Sequence, residues 1–190
     1  LTRPVGKRVP LPRGLVCTAG YEELVVARVS PEWADGAREY ASGESCPFPA
    51  LEGEFVLEVP GETLLPGWRV TASLVGDSGD YIRSEDYAQT GPGGFPDRLV
   101  GEFDLHRVGG PILVRRRKPG DRFRPLGMDT TKKLQDFMVD ARIPRVWRDR
   151  IPIVCSAEHI IWVVGWRMDD RVRVTDRTVD VLRLEIVRRH

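Results

Sequence analysis

The sequence predicts an α+β fold dominated by strands and divided into two small domains. Three observations lead there. Runs of branched and aromatic residues with strand character recur along the chain, only one segment carries a helical period, and the charge separates into two blocks that meet near residue 104. The 190 residues are enough for one good core or two small domains, and 41% hydrophobic with 30% charged residues suits a folded, soluble chain. No apolar stretch approaches the roughly 20 residues that a bilayer span needs.

The elements follow in order. Val9-Pro10-Leu11-Pro12-Arg13-Gly14-Leu15 reads as a turn-rich opening into a strand, and Tyr21 to Val29 has the branched residues of another. Ser30 to Pro49, rich in Pro, Gly, Ser and acids, reads as a loop. Phe55–Val59 and Trp68–Val75 are predicted strands, with turn chemistry between them at Pro60-Gly61-Glu62-Thr63 and Leu65-Pro66-Gly67. Gly76 to Pro96 reads as a second loop, most flexible at Gly91-Pro92-Gly93-Gly94. A boundary is expected near Asp104, giving an acidic, strand-rich domain over 1–104 and a basic one over 105–190. Past it, Ile112–Arg117 is a short strand and Pro119-Gly120-Asp121 a sharp turn. The helix is expected to start near Asp129 or Thr130, because Leu134, Phe137, Met138 and Ala141 recur at i, i+3, i+4 and i+7. Pro144 ends it and opens a second short helical turn over Arg145–Arg148. Ile151–Cys155, Ile160–Gly165 and Val181–Val187 complete the strands.

A net charge of +1 hides a strong asymmetry. Residues 30–104 hold 4 Lys/Arg against 15 Asp/Glu, whereas residues 105–150 hold 13 against 5. A basic block of that kind suits an anionic partner, or else pairs with the acidic block. Nucleotide cradles and catalytic constellations are missing. No G-x-x-x-x-G-K-[ST] or G-x-G-x-x-G follows a strand, His106, His159 and His190 lack metal-ligand spacing, and Gly76-Asp77-Ser78-Gly79-Asp80 reads as a polar loop without a base beside its serine. No catalytic residue and no metal site is expected in this chain. Three cysteines far apart, with no CxxC, suit a reducing cytoplasm. The opening Leu1-Thr2-Arg3-Pro4-Val5-Gly6-Lys7 has no apolar signal block and no initiator Met, so a piece of a longer protein is expected.

The segment above background is Arg115-Arg116-Arg117-Lys118-Pro119-Gly120-Asp121-Arg122-Phe123-Arg124, with six cations in ten residues, followed by Lys132-Lys133. Arginine forks onto phosphate oxygens and lysine adds a point charge, so a groove tracking a phosphodiester backbone is the expected use. Strand alternation predicts Arg115 and Arg117 on one side and Arg116 on the other. Lys132 and Lys133 are expected in the first helical turn, where cations oppose the macrodipole and so point to a role other than helix stability. The candidate contacts are Arg115, Arg117, Lys118, Arg122, Arg124, Lys132 and Lys133, extended by Arg142, Arg145 and Arg148. Gly120 and Gly127 serve backbone geometry and Asp121 orients an arginine or caps a turn. Phe123, Phe137, Met138, Trp162 and Trp166 are expected in packing.

The string Arg117-Lys118-Pro119-Gly120-Asp121-Arg122-Phe123-Arg124-Pro125-Leu126-Gly127 resembles the C-terminal domain of the bacterial tRNA(Ile)-lysidine synthetases. So do Lys132-Lys133-Leu134-Gln135-Asp136-Phe137, Asp140–Pro144, Arg148–Pro152 and Ile161–Arg167 after it, in the same succession. The resemblance covers about Phe103 to Val187, with a looser match upstream at Leu11–Leu15, Tyr21–Leu24 and Val59–Trp68. The same region also resembles the β-sandwich module of bacterial phenylalanyl-tRNA synthetase β chains, which implies a sandwich-like tRNA-binding module with one or two short helices. The family's enzyme is a ligase that uses ATP, with Mg, to activate the wobble cytidine of an isoleucine tRNA for attack by lysine. Its phosphate loop lies in an N-terminal domain. Ser42-Gly43-Glu44-Ser45 here is not that motif, so the resemblance implies a tRNA-recognition fragment that is inactive alone. Its implied partners are tRNA(Ile), on the acceptor side, and its own catalytic domain, with a homodimer left open. The rival reading is a structural or protein-interaction module whose basic face pairs with an acidic surface, residues 30–104 included.

Overall fold

The computed structural model describes residues 8–11, 15–19 and 24–28 as backbone, and residues 46–75 and 98–189 with their side chains. The readings made over residues 30–45 and 76–97 lie outside this range. Strands β1 (Arg8–Leu11), β2 (Leu15–Ala19) and β3 (Leu24–Arg28) form an antiparallel sheet in that order. The turn-rich opening therefore contains a strand of its own. Pro10, paired opposite Val16, is tolerated there because β1 is an edge.

Two further antiparallel sheets build the body. One has the order β5 (Gly61–Leu65), β6 (Trp68–Val75), β14 (Val181–Arg188), β7 (Arg98–Asp104). The other has the order β13 (Arg167–Met168), β12 (Ile160–Val163), β11 (Ile153–Cys155), β8 (Leu113–Arg115), β4 (Glu54–Val56). In β6 the period of two is plain: Trp68, Val70 and Ala72 are buried while Arg69 and Thr71 are exposed. Strand β14 buries Leu182, Leu184 and Ile186 in the same way. The sheets meet where Phe103 of β7 tilts against Trp162 of β12, ring centroids 5.8 Å apart. Gly101 makes that approach possible, since a Cβ there would stand 2.6 Å from the Phe103 ring and 3.3 Å from Trp162. The result is the expected strand-dominated, sandwich-like fold.

Strands β11 and β12 are buried at every residue, so both their faces are covered. Helix α2 (Leu134–Asp140), the segment after it and the ribbon before it contribute Phe123, Leu134, Met138, Ile143 and Ile151 to the same core, each buried to within 1% of completely. Full burial of such a side chain is worth roughly 1.5–3 kcal/mol. This cover carries the basic segment, so the cations are seated by the core itself. Strand β9 (Arg122–Phe123) pairs with β10 (Lys132–Lys133), and Pro125 bridges Asp169 beyond β13.

Several expectations change. The boundary at Asp104 does not separate two cores among the described residues: β14 lies hydrogen-bonded between β6 and β7, and β4 pairs with β8, so one hydrophobic cluster spans both sides of it. The helix starts four to five residues later than expected, because residues 132–133 are drawn into the β9–β10 ribbon. Lys133 becomes the N-cap, with no side-chain capping bond, and Lys132 lies outside the helix. Residues 145–150 form a turn held by Trp147 N–H to Pro144 O and Arg150 N–H to Trp147 O, with no α-helix. The turn chemistry at 60–67 flanks a strand, β5, and the short helix α1 (Leu105–Val108) follows β7 directly.

Candidate nucleic-acid interface

The chain leaves β8 at Arg115 and turns at once. The Asp121 carboxylate closes that turn, accepting both ends of the Arg115 fork at 2.9 Å and the Lys118 backbone N–H at 2.7 Å. Gly120, at φ 86°, supplies the left-handed residue that this turn needs. Both side chains of the ion pair are only 12% exposed. Burial opposes ionisation of Asp121, but the hydrogen bonds from Arg115 and Lys118 outweigh it and hold the carboxyl below the usual range. Asp121 thus does both things expected of it. The Arg115 guanidinium is committed to the turn, with Nη1 also donating to Arg116 O.

Four other candidates also meet carboxylates. Arg117 Nε donates to Asp149 at 2.8 Å, joining the turn to the 145–150 segment. Lys132 pairs with Asp140 at the far end of α2. Arg124 Nη2 donates to Asp170 at 2.9 Å. Lys118 reaches Glu54 on β4. Arg107 on Asp104 and Arg183 on Glu102 also cross residue 104, whereas Arg115, Arg117, Arg124 and Lys132 pair within residues 105–190, so block-against-block pairing accounts for few of the candidate cations.

A second group points outward. Arg122 and Lys133 are exposed and directly opposite one another in the β9–β10 register, and neither faces a carboxylate among the described residues. Arg122 Nη2 makes only a long 3.5 Å contact to Thr131 O. Like charges directly opposite in a ladder are destabilising. Phe123, the alternating neighbour, is wholly buried and packs edge-on against Phe137 at 5.0 Å, so it is core as expected. Arg116 and Arg145 are exposed as well, again without a carboxylate partner among the described residues.

Arg142 occupies a third kind of place. It follows α2 with φ 53°, and its N–H bonds Val139 O while Ile143 N–H bonds Met138 O. This is a Schellman ending with buried Met138 and Ile143 in its hydrophobic contact, and arginine stands where glycine is the usual choice. Left-handed backbone at a residue with a Cβ costs on the order of 1 kcal/mol. Arg148 Nε donates to Ile143 O at 3.0 Å, which ties the following turn to that ending.

Sequence reasoning missed the group that seats the basic loop. Asp169, completely buried, accepts the Arg124 N–H at 2.8 Å, the Arg171 N–H at 2.9 Å and the Arg171 fork at 2.9 and 2.8 Å. Burial alone raises its pKa, yet these bonds prevail and keep the carboxyl below its ordinary value. Asp170 accepts the Gly127 N–H, Arg124 and Arg173. The signal available in the sequence was a doubled acid inside Asp169-Asp170-Arg171-Val172-Arg173, since two adjacent acids amid arginines at the end of an apolar run need partners nearby.

The site is thus an exposed cationic ribbon on a cover packed over the five-stranded sheet, flanked by arginines held on buried carboxylates. Comparison with known proteins agrees with this region's extent. The family described as "TilS substrate C-terminal domain" matches residues 112–185. The tRNA(Ile)-lysidine synthase of Dehalococcoides mccartyi is 34% identical over 185 residues, covering 97% of this chain and 34% of that protein. The same-named protein of Symbiobacterium thermophilum is 35% identical over 184 residues, covering 94% and 33%. A solved structure described as the TilS C-terminal domain superposes with a TM-score of 0.55 at 29% identity, covering 73% of this chain and 98% of that one. The chain spans about a third of the length of these relatives. Residues 112–185 thus carry the TilS substrate C-terminal domain, and the chain as a whole is similar to about a third of the length of the tRNA(Ile)-lysidine synthases.

Proposed function

We propose that this chain is the tRNA-holding part of an ATP-dependent tRNA(Ile)-lysidine synthetase and that it acts in the cytoplasm. On this reading the ligase chemistry, which joins lysine to the wobble cytidine with ATP and Mg, belongs to a catalytic domain on other polypeptide. This chain binds the tRNA backbone, on its acceptor side. The observation that carries the reading is the register of the β9–β10 ribbon, which places exposed Arg122 opposite exposed Lys133 with no carboxylate among the described residues to relieve them. An anionic ligand relieves that repulsion, and phosphate oxygens do so without needing base edges. Arg116 and Arg145 extend the exposed surface, and Arg117, Lys118, Arg124, Lys132, Arg142 and Arg148 line its margins. Arg115 serves the turn rather than the ligand.

The test is a tRNA(Ile) gel shift with the 190-residue chain across a salt series. With about four phosphates neutralised, log affinity should fall against log salt with a slope near −3, taking roughly −0.7 to −0.9 per contact. A flat salt dependence overturns the reading.

A further inference from the structure

We propose that Arg171 and Arg173 are additional phosphate-contacting residues of this face, aimed by Asp169 and Asp170, which act as positioning residues. The inference rests on the RNA-binding reading above and names residues that reading does not contain. Two carboxylates, Asp169 and Asp170, hold three guanidiniums, those of Arg124, Arg171 and Arg173, so the cluster keeps a surplus positive charge. The carboxylates face inward, Asp169 completely buried, while Arg171 and Arg173 remain 42% and 50% exposed. Arg171 gives Nε and Nη2 to Asp169, leaving Nη1 and its second Nη2 hydrogen outward. Arg173 gives Nη1 to Asp170, leaving its other nitrogens. A guanidinium bound along one edge is already ordered, so an anion meeting its other edge finds the rotamer fixed.

The same segment also sets the position of the basic loop. Asp170 N–H bonds Arg124 O at 2.7 Å, Leu126 N–H bonds Met168 O at 2.9 Å, and Asp169 N–H bonds Ile161 O on β12. The Arg122–Gly127 loop is therefore registered to the sheet through residues 168–170. Arginines placed only to neutralise buried acids would need one partner per carboxylate; here a third is present and all three reach solvent.

The experiment measures binding of a tRNA(Ile) transcript by fluorescence anisotropy over a salt series, with thermal melting in parallel. Asp170→Asn keeps an acceptor for the Gly127 N–H but makes the chain more positive by one charge. Simple electrostatics then predicts tighter binding, whereas positioning predicts about fivefold weaker binding. Unchanged or tighter binding overturns the positioning role. Arg173→Gln should weaken binding about threefold to fivefold and reduce the salt slope by about 0.7 to 1, and an unchanged slope overturns its contact role. Should Asp170→Asn melt early, Arg173→Gln decides, because Arg173 reaches solvent and Asp170 keeps Arg124 and the Gly127 N–H as partners without it. The Arg122→Glu, Lys133→Glu double variant separates the two claims. If it abolishes binding while the others do not, this inference alone fails; if none of the variants alters binding, the RNA-binding reading fails.

Discussion

The four-stranded sheet and the β9–β10 ribbon solve the same problem of surface charge in opposite ways. On the sheet, Arg183 stands directly across from Glu102, Arg98 forks onto Glu185, and Arg69 approaches Glu62 on the neighbouring strand. Opposite charges meet across strands wherever the pattern permits, as expected of a surface with no task beyond stability. The ribbon sets Arg122 against Lys133 instead. A chain that pairs its charges so consistently in one region and leaves two cations facing each other in another marks the second region as the one shaped by something outside itself. Within the basic segment the contrast repeats at finer grain, since Arg115 is locked on Asp121 while Arg122, seven residues on, is not.

The largest effect should come from the locked side of this comparison. Arg115→Ala strands the Asp121 carboxylate in a mostly buried site, where losing one partner costs about 3 kcal/mol. Calorimetry should show melting lowered by about 6–12 °C for a chain of this size. Affinity for tRNA, measured well below that transition, should change little. A large affinity loss with little change in melting would place Arg115 among the contacts after all.

The next effect crosses in sign. Arg122→Glu faces Lys133 with an opposite charge, so stability should rise by about 0.2–1 kcal/mol. Affinity for tRNA should drop by about tenfold. The same reversal at Arg183 sets a carboxylate against Glu102 and should lower melting instead. If Arg122→Glu loses stability along with affinity, the ribbon is structural and the comparison breaks.

The smallest effect is one of pH. Asp121 and Asp169 have folded pKa values below the unfolded one, so their contribution is complete above about pH 4, the unfolded carboxylate value, and disappears as pH falls through the lower folded values. His159 is held below 6.5 by burial and then by the Arg171 charge, with Asp169 and Glu158 opposing. The unfolded chain therefore takes up that proton first, and stability present above pH 6.5 declines as pH drops below it. Melting temperature against pH should show a shallow decline from about pH 6.5 and a steep one below 4, and His159→Gln should remove only the first. The buried Cys155 thiol, pushed up to about 11 by burial, adds nothing in this range.

The strands that face one covered side and one wet side were legible in the sequence. Strand β6 runs over the expected residues and β14 extends one residue further, because alternation records the two environments directly. Strand β5 was hidden because Pro60, Gly61 and Pro66-Gly67 bracket it with turn chemistry, and β7 because it follows a Gly-Pro-rich stretch. The start of α2 was misplaced because residues 132–133 pair with 122–123, a long-range contact that local capping residues at 129–130 cannot report. Where the basic segment lies was readable from composition, whereas which cations are free was not. Arg117, Lys118 and Arg124 find their partners 32, 64 and 46 residues away, and no local pattern encodes such distances.

The insertion of residues 181–188 between β6 and β7 has a consequence for biosynthesis. A ribosome that has delivered the chain as far as residue 180 has already made every cation of the ribbon, but not the strand on which two others close. Until that keystone is delivered, two raw strand edges stand open to whatever nascent chain or chaperone is near. An interrupted product would therefore carry the charge without the scaffold that aims it.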